Sequence, residues 1–155
     1  MNTPFAPRLV LDTNVVLDCL VFRDSAVRDL WAAIEARRVE ALSHPFALEE
    51  LRRVLAYPQC RLDEKAQRDV LARYADLTRL IAVPDGFARK SLTLPPEFPR
   101  CRDGDDDVFL ALAFHSRADA LISKDRDILS LRKKARKFGV RIAGIGELNA
   151  LLGDG

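Results

Sequence analysis

The sequence has few residues that could form a disulfide network or bind a soft metal ion. Its 155 residues include three cysteines and two histidines. The cysteines (Cys19, Cys60 and Cys101) are odd in number and widely spaced, which is typical of reduced thiols and excludes a disulfide framework or a zinc knuckle. The sequence therefore predicts a cytoplasmic protein, and any metal ligands are expected to be oxygen atoms.

Long apolar runs and a strong charge of one sign are also absent. No run approaches the roughly 20 residues that cross a membrane, and residues 1–8 contain no signal-peptide core. The net charge is +2, from 25 basic and 23 acidic residues, and neither demands nor excludes a nucleic-acid partner. We expect a single domain, residues 1–155, with no membrane partner. No P-loop or dinucleotide-binding glycine pattern is present.

Short apolar runs alternate with helical patterns along the chain. The predicted strands are 9–11, 39–42, 80–83, 120–123 and 140–143. The first predicted helix follows Asp12, and the second spans 24–38. The third runs from a Ser43 N-cap to about Tyr57, and the others span 64–79, 105–117, 126–138 and 145–152. Gly139 is a predicted helix C′ residue. This alternation predicts an α/β fold with a central five-stranded parallel sheet covered by helices on both faces, in three layers.

The segment 84–104 interrupts this alternation. It contains four of the eight prolines and has no helical period. A connection of this length inside a domain is typical of a functional loop or lid, and the alternative is a loosely packed surface loop.

Acidic residues follow two of the predicted strands. Asp12 ends the strand Leu9–Leu11, and Asp125 follows the strand 120–123. Each could cap the next helix or face a ligand. Ligands of open parallel sheets bind beyond the carboxyl ends of the strands, so neighbouring strands would direct both carboxylates into one crevice.

Two further acids are candidates for the same crevice. Asp107 belongs to the acidic segment 103–107, which opens an apolar helix, although helix N-termini favour acids in any case. At about 100° per residue, Glu50 borders the apolar stripe of its helix, whereas Glu49 lies nearly opposite. Glu50 is therefore predicted to reach the crevice and Glu49 to be solvated, with a surface salt bridge as the alternative for Glu50.

Several carboxylates in one crevice need a counter-charge. At ~4 Å each pair repels by about 1 kcal/mol in water and by about 4 kcal/mol near a protein surface. Oxygen ligands select a hard cation, so the candidate cofactor is Mg²⁺ or Mn²⁺. Such a site is suited to hydrolysis of a phosphodiester.

Four motifs together resemble the PIN-domain family of metal-dependent nucleases. They are Leu11-Asp12-Thr13-Asn14, Ser43 with Leu48-Glu49-Glu50-Leu51, Asp106-Asp107-Val108-Phe109-Leu110-Ala111-Leu112-Ala113, and Ala120-Leu121-Ile122-Ser123-Lys124-Asp125. The resemblance implies a PIN-like sheet and cleavage of single-stranded RNA. The acidic quartet that it implies is Asp12, Glu50, Asp107 and Asp125, with Asn14 and Ser123 in support. Ser123 stands where the family more often has Thr, and the change keeps the hydroxyl.

The resemblance also implies a biological role and partners. Many bacterial members resemble the toxin half of toxin–antitoxin pairs, so an antitoxin protein is a candidate partner, as is a second copy of the chain. Lys133 and Lys134 in the basic segment 126–141 either form a solvated helix face or contact RNA phosphates. Two rival functions remain: a non-catalytic PIN-like interaction module that binds metal or RNA, and a phospho-receiver-like domain.

Overall fold

Five parallel strands form one sheet at the centre of the molecule. The computed structural model describes residues 6–81, 94–101 and 106–152, excluding the side chains of residues 149 and 151. The strands are β1 (Arg8–Leu11), β2 (Glu40–Ser43), β3 (Thr78–Leu80), β4 (Ala120–Ile122) and β5 (Ile142–Ala143). Their order in the sheet is β3-β2-β1-β4-β5. The predicted five-stranded parallel sheet is confirmed, and β1 lies between β2 and β4.

The helices follow the strands in the predicted alternation. They are α1 (Thr13–Leu20), α2 (Arg28–Glu35), α3 (Pro45–Leu55), α4 (Glu64–Leu77), α5 (Asp107–Ser116), α6 (Arg126–Leu129), α7 (Arg132–Arg136) and α8 (Leu148–Leu152). Short 3₁₀ segments cover Ser25–Val27, Pro58–Cys60 and Ile145–Glu147. None of the helices in the described ranges is long and apolar enough to span a bilayer.

The two faces of the sheet are buried in separate cores. Because side chains alternate along a strand, Leu9 and Leu11 of β1 point to one face and Val10 to the other. Apolar side chains of α1, α2, α3, α4 and α8 cover the first face. Those of α5, α6 and α7 cover the second. This arrangement confirms the predicted three layers.

The basic segment after β4 differs from the prediction. A single helix was expected over 126–138, but the chain forms two short helices, α6 and α7. The Ser130 hydroxyl donates to the Asp127 carbonyl at 2.6 Å, and the Leu131 N–H bonds to the Ile128 carbonyl three residues back. Such local bonds compete with the α-helical pattern and end α6. Gly139 has φ +82°, as its predicted C′ position requires.

Two boundaries around β2 and β3 were also predicted wrongly. His44, not Ser43, is the N-cap of α3, because its Nδ1 accepts from the Phe46 N–H at 3.0 Å. Thr78 is extended and pairs with Ala41, so α4 ends at Leu77 and β3 begins two residues before the predicted strand. Ser43 stays in the sheet as the last residue of β2.

The described part of the proline-rich segment packs into the core. Most of the predicted loop 84–104 lies outside the described residues, as do the last two residues of the predicted third strand. Within 94–101, Leu94, Phe98 and Cys101 are buried. The Phe98 ring packs against Phe114 and Phe138, with centroid distances of 5.7 and 5.0 Å. Residues 94–101 are therefore not a loosely packed surface loop.

Candidate active site

Asp12 lies at the centre of the carboxyl edge of the sheet. It follows β1, and its backbone N–H continues the pairing with β4 by donating to the Ile122 carbonyl at 3.1 Å. Its side chain is buried, and the two carboxylate oxygens have different partners. Oδ1 accepts from the Val15 N–H at 2.9 Å and caps α1, while Oδ2 accepts from the Ser123 hydroxyl. Asp12 therefore caps a helix and also faces the neighbouring strand end.

Burial makes the negative charge of Asp12 unfavourable. Asp12 is 2% exposed, and this desolvation raises the pKa of its carboxyl. Hydrogen bonds from Ser123 and Val15 oppose the rise, and the charge of Asp125 adds to it. A carboxylate in this environment is stabilised by a cation placed against it.

Asp125 approaches the same point from the end of β4. Its backbone N–H donates to Ser123 Oγ at 3.0 Å, so one hydroxyl joins Asp12 to the backbone of the β4–α6 connection. Asp125 Oδ1 accepts from the Asp127 N–H at 2.8 Å and caps α6. For Asp125, as for Asp12, capping leaves the second carboxylate oxygen for another partner.

The two adjacent glutamates of α3 have different surroundings. Glu50 is half-buried, and its Oε2 accepts from the Thr13 hydroxyl at 2.5 Å. This bond connects α3 to the residue that follows Asp12. The Glu49 side chain is 53% exposed and pairs with Arg52. The helix register that predicted this difference is confirmed.

Asp107 is at the start of α5 and is partly buried. Its Oδ1 accepts from the Cys101 N–H at 2.9 Å, and this bond joins Cys101 to the start of α5. Burial raises the pKa of the Cys101 thiol to about 12, and the charges of Asp107, Asp106 and Asp125 contribute. The negative charges of Asp107 and Asp125 thus both disfavour ionisation of the Cys101 thiol. The other three residues of the acidic segment 103–107 lie outside the described ranges.

The three remaining predicted residues, Asn14, Lys133 and Lys134, are exposed at the surface. Asn14 is exposed in the first turn of α1. Lys133 and Lys134 are exposed on α7 and are not involved in the contacts among the acids.

A hard divalent cation fits the chemistry of the acids at this edge. Every donor is a carboxylate oxygen, and the raised pKa of Asp12 reflects a buried negative charge that a cation would balance. Within the ranges 6–81, 94–101 and 106–152, no three acidic, histidine or cysteine side chains are already grouped closely enough to hold an ion. The described acids therefore do not form a complete set of metal ligands in this structure.

Sequence reasoning missed one ion pair beside the site. Asp18 on α1 is buried, and its Oδ2 lies 2.7 Å from Lys124 Nζ. The available signal was an acid within the apolar run Val15–Leu20, since such an acid needs a partner. The partner could not be read from the sequence because α1 and the end of β4 are far apart along the chain.

Comparison with known proteins identifies the family. Residues 8–127 match the family model described as PIN domain. The chain belongs to the PIN-domain family. PIN domains are generally nucleases that use divalent metals. An uncharacterized protein of Methanocaldococcus jannaschii is 26% identical over 128 residues, covering 81% of this PIN domain chain and 75% of that relative.

A solved structure has the same fold. A chain in the crystal structure of VapBC2 from Rickettsia felis, bound to a DNA fragment from their promoter, superposes with a TM-score of 0.57. The match covers 88% of this PIN domain chain and 98% of that chain, at 11% identity. At this identity the likeness establishes the fold alone.

Proposed function

We propose that this PIN domain is an endoribonuclease that hydrolyses phosphodiester bonds of single-stranded RNA with Mg²⁺ or Mn²⁺. The observation that carries the proposal is the position of Asp12, a buried carboxylate at the carboxyl edge of the sheet, next to Asp125. Family membership supports nuclease chemistry, and the choice of RNA over DNA is part of the proposal.

In the proposed site, Asp12, Glu50, Asp107 and Asp125 hold the cation. When bound, the cation neutralises the carboxylates and stabilises the negative charge that develops on the scissile phosphate. Ser123 holds Asp12 in place through its hydroxyl. Thr13 does the same for Glu50. These bonds hold the Asp12 and Glu50 carboxylates at the carboxyl edge of the sheet, and fixed charges of this kind are the basis of electrostatic stabilisation in active sites.

Further residues are proposed for substrate binding. Asn14 is exposed next to Thr13, where its amide can contact a nucleotide that enters the crevice. Lys133 and Lys134 on α7 are proposed to contact backbone phosphates, which dominate the affinity of proteins for nucleic acids. This role gives no preference for a base sequence.

We further propose that the protein is the toxin of a bacterial toxin–antitoxin pair and acts in the cytoplasm. The similarity of its fold to a chain of the VapBC2 complex supports an antitoxin partner. The cysteines Cys19, Cys60 and Cys101 are all free, which suits a reducing compartment. A homodimer is a second candidate assembly. Purification with the product of the adjacent gene, followed by light scattering, tests both partners.

The decisive test of the nuclease function is cleavage of a labelled single-stranded RNA with Mn²⁺, with Mg²⁺ and with EDTA. We expect cleavage only with a metal, loss of cleavage in Asp12→Asn, and a lower rate on DNA of the same sequence. RNA binding without cleavage by the wild type would favour the interaction module instead. Membership of the PIN-domain family removes the phospho-receiver alternative, because the match covers the motifs on which that alternative depended.

Binding of the cation is tested separately by thermal unfolding. A ligand that binds only the native protein at a hundredfold excess over its dissociation constant stabilises it by about 2.7 kcal/mol. Millimolar Mn²⁺ should therefore raise the melting temperature relative to EDTA. The Asp12→Asn variant serves as the control, because its response to Mn²⁺ should be much smaller.

A further inference from the structure

The second turn of α1 buries a carboxylate that is not one of the four proposed metal ligands. Asp18 lies between the buried residues Leu17 and Cys19, and its side chain is 6% exposed. A charge in such surroundings is strongly unfavourable unless an opposite charge compensates it. The buried Asp18 carboxylate therefore needs a positively charged partner.

Lys124 supplies the compensating charge. Its Nζ lies 2.7 Å from Asp18 Oδ2, and its side chain is 47% exposed, so the ammonium reaches inward from the surface. Lys124 is flanked by Ser123, which bonds to Asp12, and by Asp125. Residues 123–125 thus contain the positively charged Lys124 side chain and two residues of the acidic site.

The Lys124 side chain extends towards the second turn of α1. Asp18 is six residues after Asp12, which is about 9 Å along the axis of α1. An ammonium that pairs with Asp18 is therefore drawn along the helix and away from the edge where the acids lie. Lys124 nevertheless directly follows Ser123, whose hydroxyl donates to the Asp12 carboxylate. Without Asp18, the flexible lysine would be free to turn towards Asp12.

We propose that Asp18 is a positioning residue that holds the Lys124 ammonium away from the acidic crevice, so that the crevice stays open to a divalent cation. An ammonium placed among the carboxylates would act as an internal competitor, because it neutralises the same negative charge. The inference rests on the proposed function, since it assumes that a divalent cation binds at these acids.

The test measures Mn²⁺ affinity directly, through the loss of the free-ion EPR signal on binding, and does not depend on catalysis. Asp18→Asn keeps the size of the side chain but removes the charge that holds the lysine. We expect it to weaken Mn²⁺ binding about tenfold, as changes to groups around a metal site commonly do. The double variant Asp18→Asn/Lys124→Gln removes the released ammonium as well and should recover most of the affinity.

Asp69→Asn is the matched control. It also removes the acid of a lysine–aspartate pair, Lys65–Asp69 at 3.0 Å, but on the exposed surface of α4. Its Mn²⁺ affinity should equal that of the wild type. Thermal scans verify that each variant folds.

The outcomes separate this inference from the proposed function. If the wild type does not bind Mn²⁺, the proposed metal site is wrong. If the wild type binds but Asp18→Asn binds equally well, or the double variant binds as weakly as the single one, the role of Asp18 is refuted. Should Asp18→Asn fail to fold, Lys124→Gln alone decides: wild-type or tighter binding supports the inference, and weaker binding overturns it.

Discussion

The adjacent residues Glu49 and Glu50 provide the sharpest mutational comparison in this protein. They are chemically identical and belong to the same helix, but only Glu50 bonds to Thr13 at the acidic edge. Glu49 pairs with Arg52 in solvent. Replacing each in turn by glutamine therefore makes the same chemical change once inside the proposed site and once outside it.

The expected effect of Glu50→Gln follows from what glutamine retains. Its amide oxygen can still accept from the Thr13 hydroxyl, so this bond is kept while the negative charge is lost. Loss of one preorganised electrostatic contact in an active site typically costs about 3 kcal/mol, or roughly a hundredfold in rate. In EDTA the variant should melt at the same temperature as the wild type or higher, because one charge that repels the other acids has gone.

The assay is the initial rate of cleavage of a single-stranded RNA at saturating Mn²⁺, with melting temperatures measured on the same samples. Glu49→Gln should cleave at the wild-type rate. Thr13→Val adds a third comparison, because it removes the bond to Glu50 but keeps the charge, and its rate should fall between those of the wild type and Glu50→Gln. If Glu49→Gln is the damaging change, or if neither glutamine matters, this helix face does not contribute to catalysis.

Three further predictions concern charge, phosphate contact and packing. Burial raises the pKa of Asp12, so the native protein binds a proton more readily than the unfolded chain, whose value is about 3.9. The protonated Asp12 carboxyl therefore favours the native state at low pH, and this contribution to stability is lost as the pH rises through the raised native pKa. Asp12→Asn, which removes the charge, should raise the melting temperature in EDTA at pH 7 and raise it less near pH 4. Replacing Lys133 and Lys134 by alanine should weaken binding to all RNA sequences alike and reduce the salt slope by roughly 0.7 per lost contact; an unchanged slope in a titration would identify a solvated helix face. Phe98→Ala should lower the free energy of unfolding by about 3–5 kcal/mol in a urea titration, since Phe98 is 2% exposed; a loss below about 1 kcal/mol would mean that the 94–101 segment does not support the core.

The sheet could be predicted from the sequence because its determinants are local. Apolar runs such as Leu9–Leu11 bury both faces of a parallel strand, and the acid that follows marks the strand end. The alternation with helical patterns then fixes the connections. The same local reasoning distinguished Glu50 from Glu49, because a helix of known register decides which side of it is buried.

The helix and strand boundaries that were predicted wrongly depend on single hydrogen bonds or on contacts between distant parts of the chain. His44 replaces Ser43 as a cap because Ser43 completes the pairing of β2 with β3, which the sequence of α3 does not reveal. The break between α6 and α7 depends on the hydroxyl of Ser130. The pairing of Asp18 with Lys124 joins elements that only the folded chain brings together.

The long separation between Asp12 and Ser123 has a consequence for synthesis of the protein. The two residues are 111 positions apart in the chain, yet one hydrogen bond joins them. At about 5–20 residues per second, a ribosome takes on the order of ten seconds to add the intervening segment. During that time the emerging chain exposes Asp12 and Glu50 without the strand that completes the crevice. If the protein is the ribonuclease proposed above, it stays inactive until the segment that contains Ser123 and Asp125 has been synthesised and has joined the sheet.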